Sequence, residues 1–109
     1  MVEIEDFLRL DLRIGTIVTA ADFPKARKPS YRLGIDFGAL GFRDSIAALK
    51  PAYGLEELIG RQVVCVFNLP PRRIAGFASE VLVLAATEPD GALRLLRPDP
   101  SASTGSFVS

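Results

Sequence analysis

The 109-residue chain has no histidine and a single cysteine, Cys65. Without imidazole there is no Ser-His or Cys-His nucleophilic pair and no histidine-ligated metal. One thiol makes neither an internal disulfide nor a thiolate zinc site. A charge excess is missing as well: 13 Lys and Arg balance 13 Asp and Glu, so no global argument favours a polyanionic partner. There is no apolar run of about eighteen residues and no charged-apolar-small order at the N-terminus. The expectation is a cytoplasmic chain without membrane insertion. Carboxylates remain as potential acid-base groups, and Glu56-Glu57 is an adjacent pair. Neighbours on a helix face different directions, so this pair reads as a solvated helix face. The expectation is a non-enzyme that needs no cofactor.

What is there is apolar: 49% of the residues. That is enough for a core without staples, in a chain of a size for one domain. So small a domain hides a smaller share of its surface, and this hints at a partner subunit.

The apolar residues fall into a readable order. Glu3 to Leu8 favours a helical turn, with acids at its start. Leu10, Leu12 and Ile14 alternate with polar or small residues, as in a half-buried strand running to about Ala20. Asp22 to Ser30 holds two prolines and three bases and reads as a loop. Tyr31 to Phe37 alternates again, and the glycines of 38–41 suit a hairpin into a third strand at about Phe42 to Leu49. Gly54 to Gly60 fits one short helix closed by a glycine. Val63 to Phe67 and Val81 to Ala86 are two strong strands, followed by a short one at Leu93 to Leu96. Cys65, in mid-strand, reads as a buried and inert thiol.

Three strands, a short helix and two strong strands make the order of an all-β, five-stranded OB-fold barrel, with its helix between strands three and four. Six or seven short strands also suit a sandwich, but the helix in that position favours the barrel. The expected layout is one OB-fold domain over 1–109. It comprises a barrel and N-terminal turn over 5–97 and a C-terminal extension over 98–109.

In such a barrel the ligand face is flanked by the loops joining strands one to two and four to five. Here these are Asp22–Arg32, with a net charge of +3, and Pro70–Ser79, with +2, whereas residues 1–11 carry −3. Two basic flanks on one face attract polyanions even at zero net charge. As scattered loop charges they would only solubilise. Lys25, Lys28, Arg72 and Arg73 are the candidate phosphate contacts. Phe37 and Phe67 lie in apolar runs and read as core. Phe42 and Phe77 each adjoin a glycine at a strand edge or loop, where they either stack on bases or plug the barrel ends. In Asn68–Ala86, two prolines stiffen the turn that presents Arg72 and Arg73, and Gly76 is placed to supply a positive φ.

Three segments resemble the tRNA-binding-domain family, OB-fold modules that occur alone or appended to aminoacyl-tRNA synthetases. They are Asp11-Leu12-Arg13-Ile14-Gly15, Leu58-Ile59-Gly60-Arg61-Gln62-Val63-Val64 and the run from Asn68-Leu69-Pro70-Pro71-Arg72-Arg73 to Ser79-Glu80. Glu5-Asp6-Phe7 and Phe37-Gly38-Ala39-Leu40-Gly41 are similar to its stand-alone CsaA-type branch of export-related chaperones. The resemblance covers about residues 5–97. It implies a homodimer, a face for tRNA or other structured RNA, and binding of unfolded or export-bound polypeptides in that branch. By position it implies tRNA contacts at Arg72, Arg73 and Ser79. Where relatives carry a polar run in the third strand, this chain has Ile46-Ala47-Ala48-Leu49. An apolar lining at Phe42, Ile46 and Leu49 then favours a peptide surface or plain packing. Thr104-Gly105 stands where the family has Asn-Gly, in a segment that helps join subunits, so the extension is expected at a dimer interface.

Overall fold

The computed structural model describes residues 1–109 and forms a strongly curled sheet. A five-residue helix, α1 (Ile4–Leu8), precedes β1 (Leu12–Phe23). β2 (Ser30–Asp36) and β3 (Phe42–Ala47) follow, then a one-turn helix α2 (Leu55–Leu58) and β4 (Gln62–Val66). Six short strands complete the chain: β5 (Arg72–Ile74), β6 (Phe77–Ser79), β7 (Leu82–Val83), β8 (Ala85–Thr87), β9 (Leu93–Leu95) and β10 (Phe107–Val108).

β1 is long because two partners use it. Residues 12–16 pair antiparallel with β4 and residues 16–23 with β2. A bulge between Ile17 and Thr19 bends it between those roles. The resulting order is β3-β2-β1-β4-β7, with β10 also on β1. Gly15 lies two residues before the bulge, opposite Val63, where a Cβ would sit 2.4 Å from Ile35 Cγ2 and 2.8 Å from the Phe37 ring. Only a glycine lets the wall approach so closely.

The barrel is closed by side chains rather than by a ladder. On β3, the amide of Asp44 donates to Glu80 Oε1 (2.8 Å) and that of Ile46 to Ser79 Oγ (3.0 Å), while Ser45 Oγ donates to the Val81 carbonyl (2.8 Å). The Glu80 amide returns a bond to the Asp44 carbonyl. Inside lie Ile17, Tyr31, Leu33, Ile35, Phe37, Leu49, Leu58, Val63, Cys65 and Val81. The alternation in strand two points inward as expected, whereas in strand one it is Gly15 and Ile17 that face this cluster, Leu12 and Ile14 being buried outside it and Leu10 exposed. The fold is the OB-type barrel with a short helix between β3 and β4. Phe37 is fully buried and meets Phe67 edge-on at 5.0 Å, as expected of two core rings. In α2, the Gly54 amide donates to Glu57 Oε1 and Gly60 has a φ of +85°.

Several sequence expectations change in extent. The first strand continues to Phe23, three residues past its expected end, because Ala21, Asp22 and Phe23 find partners in Arg32, Tyr31 and Ser30. The expected strand Val81–Ala86 is divided: β7 pairs with β4, while β8 turns away to pair with β9. Residues 70–79 are a small hairpin, β5–β6, rather than a loop. The C-terminal extension returns to its own barrel: the Gly105 amide donates to the Ile14 carbonyl and the Ile14 amide to that of Ser106.

Candidate functional site

Above the closing seam, the β1–β2 connection and the β5–β6 hairpin face each other. The hairpin folds because Ala75-Gly76, at φ +49° and +86°, makes a two-residue turn with both central residues left-handed. The twist of such a turn matches that of the strands. Along β5, successive side chains take opposite sides. Arg72 and Ile74 face the β1–β2 connection, whereas Arg73 faces away and donates from Nη1 to the Gly76 carbonyl (2.9 Å). The two adjacent arginines are therefore not equivalent.

Between the two hairpins lies a groove of about 440 Å³, a size suited to a small ligand or a few residues of a chain. Its floor is apolar, built by Ile46 and Ala47 at the end of β3, by Ala48 and Leu49 just past the strand (which stops two residues short of its expected end), and by Ile74, Leu82, Val83, Ala85 and Leu93. Its rim carries Arg27, Lys28 and Arg72, and no carboxylate lines it. None of these three cations is ion-paired. The nearby pairs account for other charges: Asp22 holds Lys50, and Arg32 Nη2 sits 3.0 Å from Asp44 Oδ2. The basic character left at the groove belongs to Lys25, Arg27 and Lys28 on one side and Arg72 on the other.

The candidate residues thus separate. Lys28, Arg72, Ile46 and Leu49 meet in the groove. Lys25 stands beside it, with Nζ 5.4 Å from the centre of the Phe77 ring. Phe77 is half-buried, edge-on to Phe23 at 5.3 Å and 87°, with the Arg32 guanidinium 4.8 Å from its centre. An aromatic pair of this geometry contributes about 0.5–1.5 kcal/mol beyond its buried area. Ser79 is 2% exposed, and its hydroxyl is engaged by the Ile46 amide; it braces the seam beneath the groove. Phe42 is 66% exposed at the opposite end of β3, paired with Asp36, and is not part of the groove. Sequence reasoning missed the walls supplied by β7, β8 and β9. No local pattern in those short strands signals them.

No group of three or more histidine, cysteine or carboxylate side chains is gathered as a metal site. No helix is long and apolar enough to cross a membrane. The thiol of Cys65 is pushed up to about 12 by burial, which keeps it protonated and unreactive at neutral pH.

Comparisons with known proteins span nearly the whole chain. The chaperone CsaA of Bacillus anthracis is 50% identical, with a TM-score of 0.95 over 100% of this chain and 99% of that one. The CsaA chaperone protein of Picrophilus torridus is 41% identical, with a TM-score of 0.94 over the whole of both chains. Methionine–tRNA ligase of Porphyromonas gingivalis is 42% identical over 107 residues, which are 98% of this chain but 15% of the ligase. The chain thus spans about a seventh of the length of the curated relative it matches, within which it resembles one segment. The family model described as "Putative tRNA binding domain" matches residues 12–106, and the chain belongs to that family.

Proposed function

We propose that this chain is a non-catalytic RNA-binding protein that takes tRNA or another structured RNA at the groove between β1–β2 and β5–β6. The observation that carries the reading is the rim: Arg27, Lys28 and Arg72 converge from two separate hairpins, unpaired and with no carboxylate among the lining residues. Cations spaced around one opening attract a phosphate backbone and release its counterions. The tRNA-binding family to which the chain belongs supports the same ligand class. We place the protein in the cytoplasm, where tRNA is found, and propose that it acts as a homodimer.

The apolar floor favours a second reading, that the groove holds an unfolded or export-bound polypeptide in the manner of a chaperone. The likeness to two CsaA chaperones supports it. Both ligands would enter by one mouth and so compete.

The test is binding of labelled tRNA over a range of salt concentrations, with and without an extended apolar peptide. If the three rim cations each neutralise a phosphate, the logarithmic salt slope is roughly −2 to −3. Arg72→Ala should reduce it by about one and weaken binding at low salt, whereas Arg73→Ala, on the outer face, should do less. Absence of tRNA binding at low salt overturns the RNA reading. Peptide binding without tRNA binding establishes the alternative, and displacement of tRNA by the peptide shows a shared groove.

A further inference from the structure

We infer that Phe77 is a positioning residue, an aromatic latch that ties the β5–β6 hairpin to the β1–β2 hairpin and so sets the spacing of the rim cations. The inference extends the RNA-binding reading, on which its ligand measurements rest; its exchange measurement does not. The β5–β6 hairpin pairs only with itself, three residues to a strand. Two strands of that length are marginal without outside support. At the base the hairpin is held to β3 through Ser79 and Glu80. Towards the tip, the support lies in the Phe77 ring.

That ring faces three side chains of the opposite hairpin. Phe23, the last residue of β1 and itself buried, meets it edge-on. Arg32 of β2 and Lys25 of the connecting loop place their charges 4.8 and 5.4 Å from its centre. Cations are drawn to the negative face of an aromatic ring. Arg32 also pairs with Asp44 of β3, so one guanidinium ties together β2, β3 and the hairpin. A base seeking to stack on Phe77 would have to displace these neighbours. The ring is arranged to hold the two rims together, with Arg72 on one side and Lys28 and Arg27 on the other. Its effect on a polyanion is exerted through cations it does not itself provide.

The experiment compares wild type with Phe77→Ala, Phe77→Leu and Phe77→Trp. Amide hydrogen exchange is followed without ligand over residues 24–32 and 72–79. Binding of tRNA and of long-chain inorganic polyphosphate, which has no bases, is titrated across salt. The expected result for Phe77→Ala is faster exchange in both segments and about tenfold weaker binding of both ligands. The salt slope should be unchanged, since no phosphate contact is removed. Phe77→Trp should restore both; Phe77→Leu, which fills space without a π face, should not. Unchanged exchange over 24–32 in Phe77→Ala overturns the latch, as does wild-type behaviour of Phe77→Leu. Weakened tRNA binding with unaltered polyphosphate binding also overturns it, in favour of base stacking. If wild type binds neither ligand while Phe77→Ala exchanges faster in both segments, the RNA reading fails and the latch stands.

Discussion

Cys65 shows how one residue's chemistry follows from its place in a strand. It sits in β4 between β1 and β7 with no exposed surface, and desolvation moves its thiol from 9.0 to about 12. The folded state therefore retains a proton that the unfolded chain gives up above pH 9. Between about pH 9 and 12 the unfolded state binds fewer protons, so stability falls as pH rises; below pH 9 the thiol adds no dependence. Urea midpoints at pH 8 and pH 10.5 check this. The wild type should lose of order 1–2 kcal/mol from this thiol, and Cys65→Val should lose less over the same interval. Inertness of this residue was legible from its position in an apolar run. The difference between Arg72 and Arg73 was not. It exists only because residues 72–79 form a hairpin, whose alternation sends one arginine to the groove and its neighbour to the outer face.

At the scale of elements, the long alternating strands announced themselves, and the short ones did not. β2 buries every second side chain from Tyr31 to Ile35 against one core, so its period was plain in the sequence; β1 alternates at its start but changes side before Ile17, which the sequence did not show. The β5–β6 hairpin has three residues a side and follows two prolines, a composition that reads as a loop. Its turn also places Ala75, not the more usual Asn or Asp, at positive φ before Gly76. The seam that closes the barrel was invisible for another reason: Ser79, Glu80 and Ser45 meet β3 or its neighbour across more than thirty positions. Family resemblance had marked Ser79 as a tRNA contact, but its hydroxyl is engaged inside. Ser79→Ala leaves the buried Ile46 amide without its acceptor and should cost about 1–3 kcal/mol. In urea unfolding this appears as a lower midpoint with an unchanged slope. A midpoint equal to wild type would mean that the seam does not depend on this bond.

For the molecule as a whole, neutral composition concealed a polarised surface. Ion pairs absorb Asp22 and Arg32, and Arg27, Lys28 and Arg72 remain unpaired at one groove that no carboxylate lines. The opposite question is what covers the apolar residues at the end where α1 enters the barrel. No residue of α1 is buried, and Ile4, Phe7 and Leu8 are exposed, as are Leu10, Leu69 and Phe107. These belong together: Asn68 bonds to the Arg9 carbonyl and the Asp11 amide, and Phe107 pairs with Arg13 at the start of β1. A standard interface removes about 800 Å² from each partner, roughly an eighth of this chain's 6842 Å². A five-residue helix cannot provide that alone, and a dimer through this end would also need to cover Leu69 and Phe107. We propose that the homodimer would use this end, two chains covering each other's α1 through a twofold axis. Sedimentation of the wild type should give the mass of two chains. Ile4→Lys with Leu8→Lys, which alters no buried residue, should give the mass of one chain and a melting temperature independent of concentration. A wild type that sediments as a single chain at every concentration tested, or a variant that remains paired, rules out this interface.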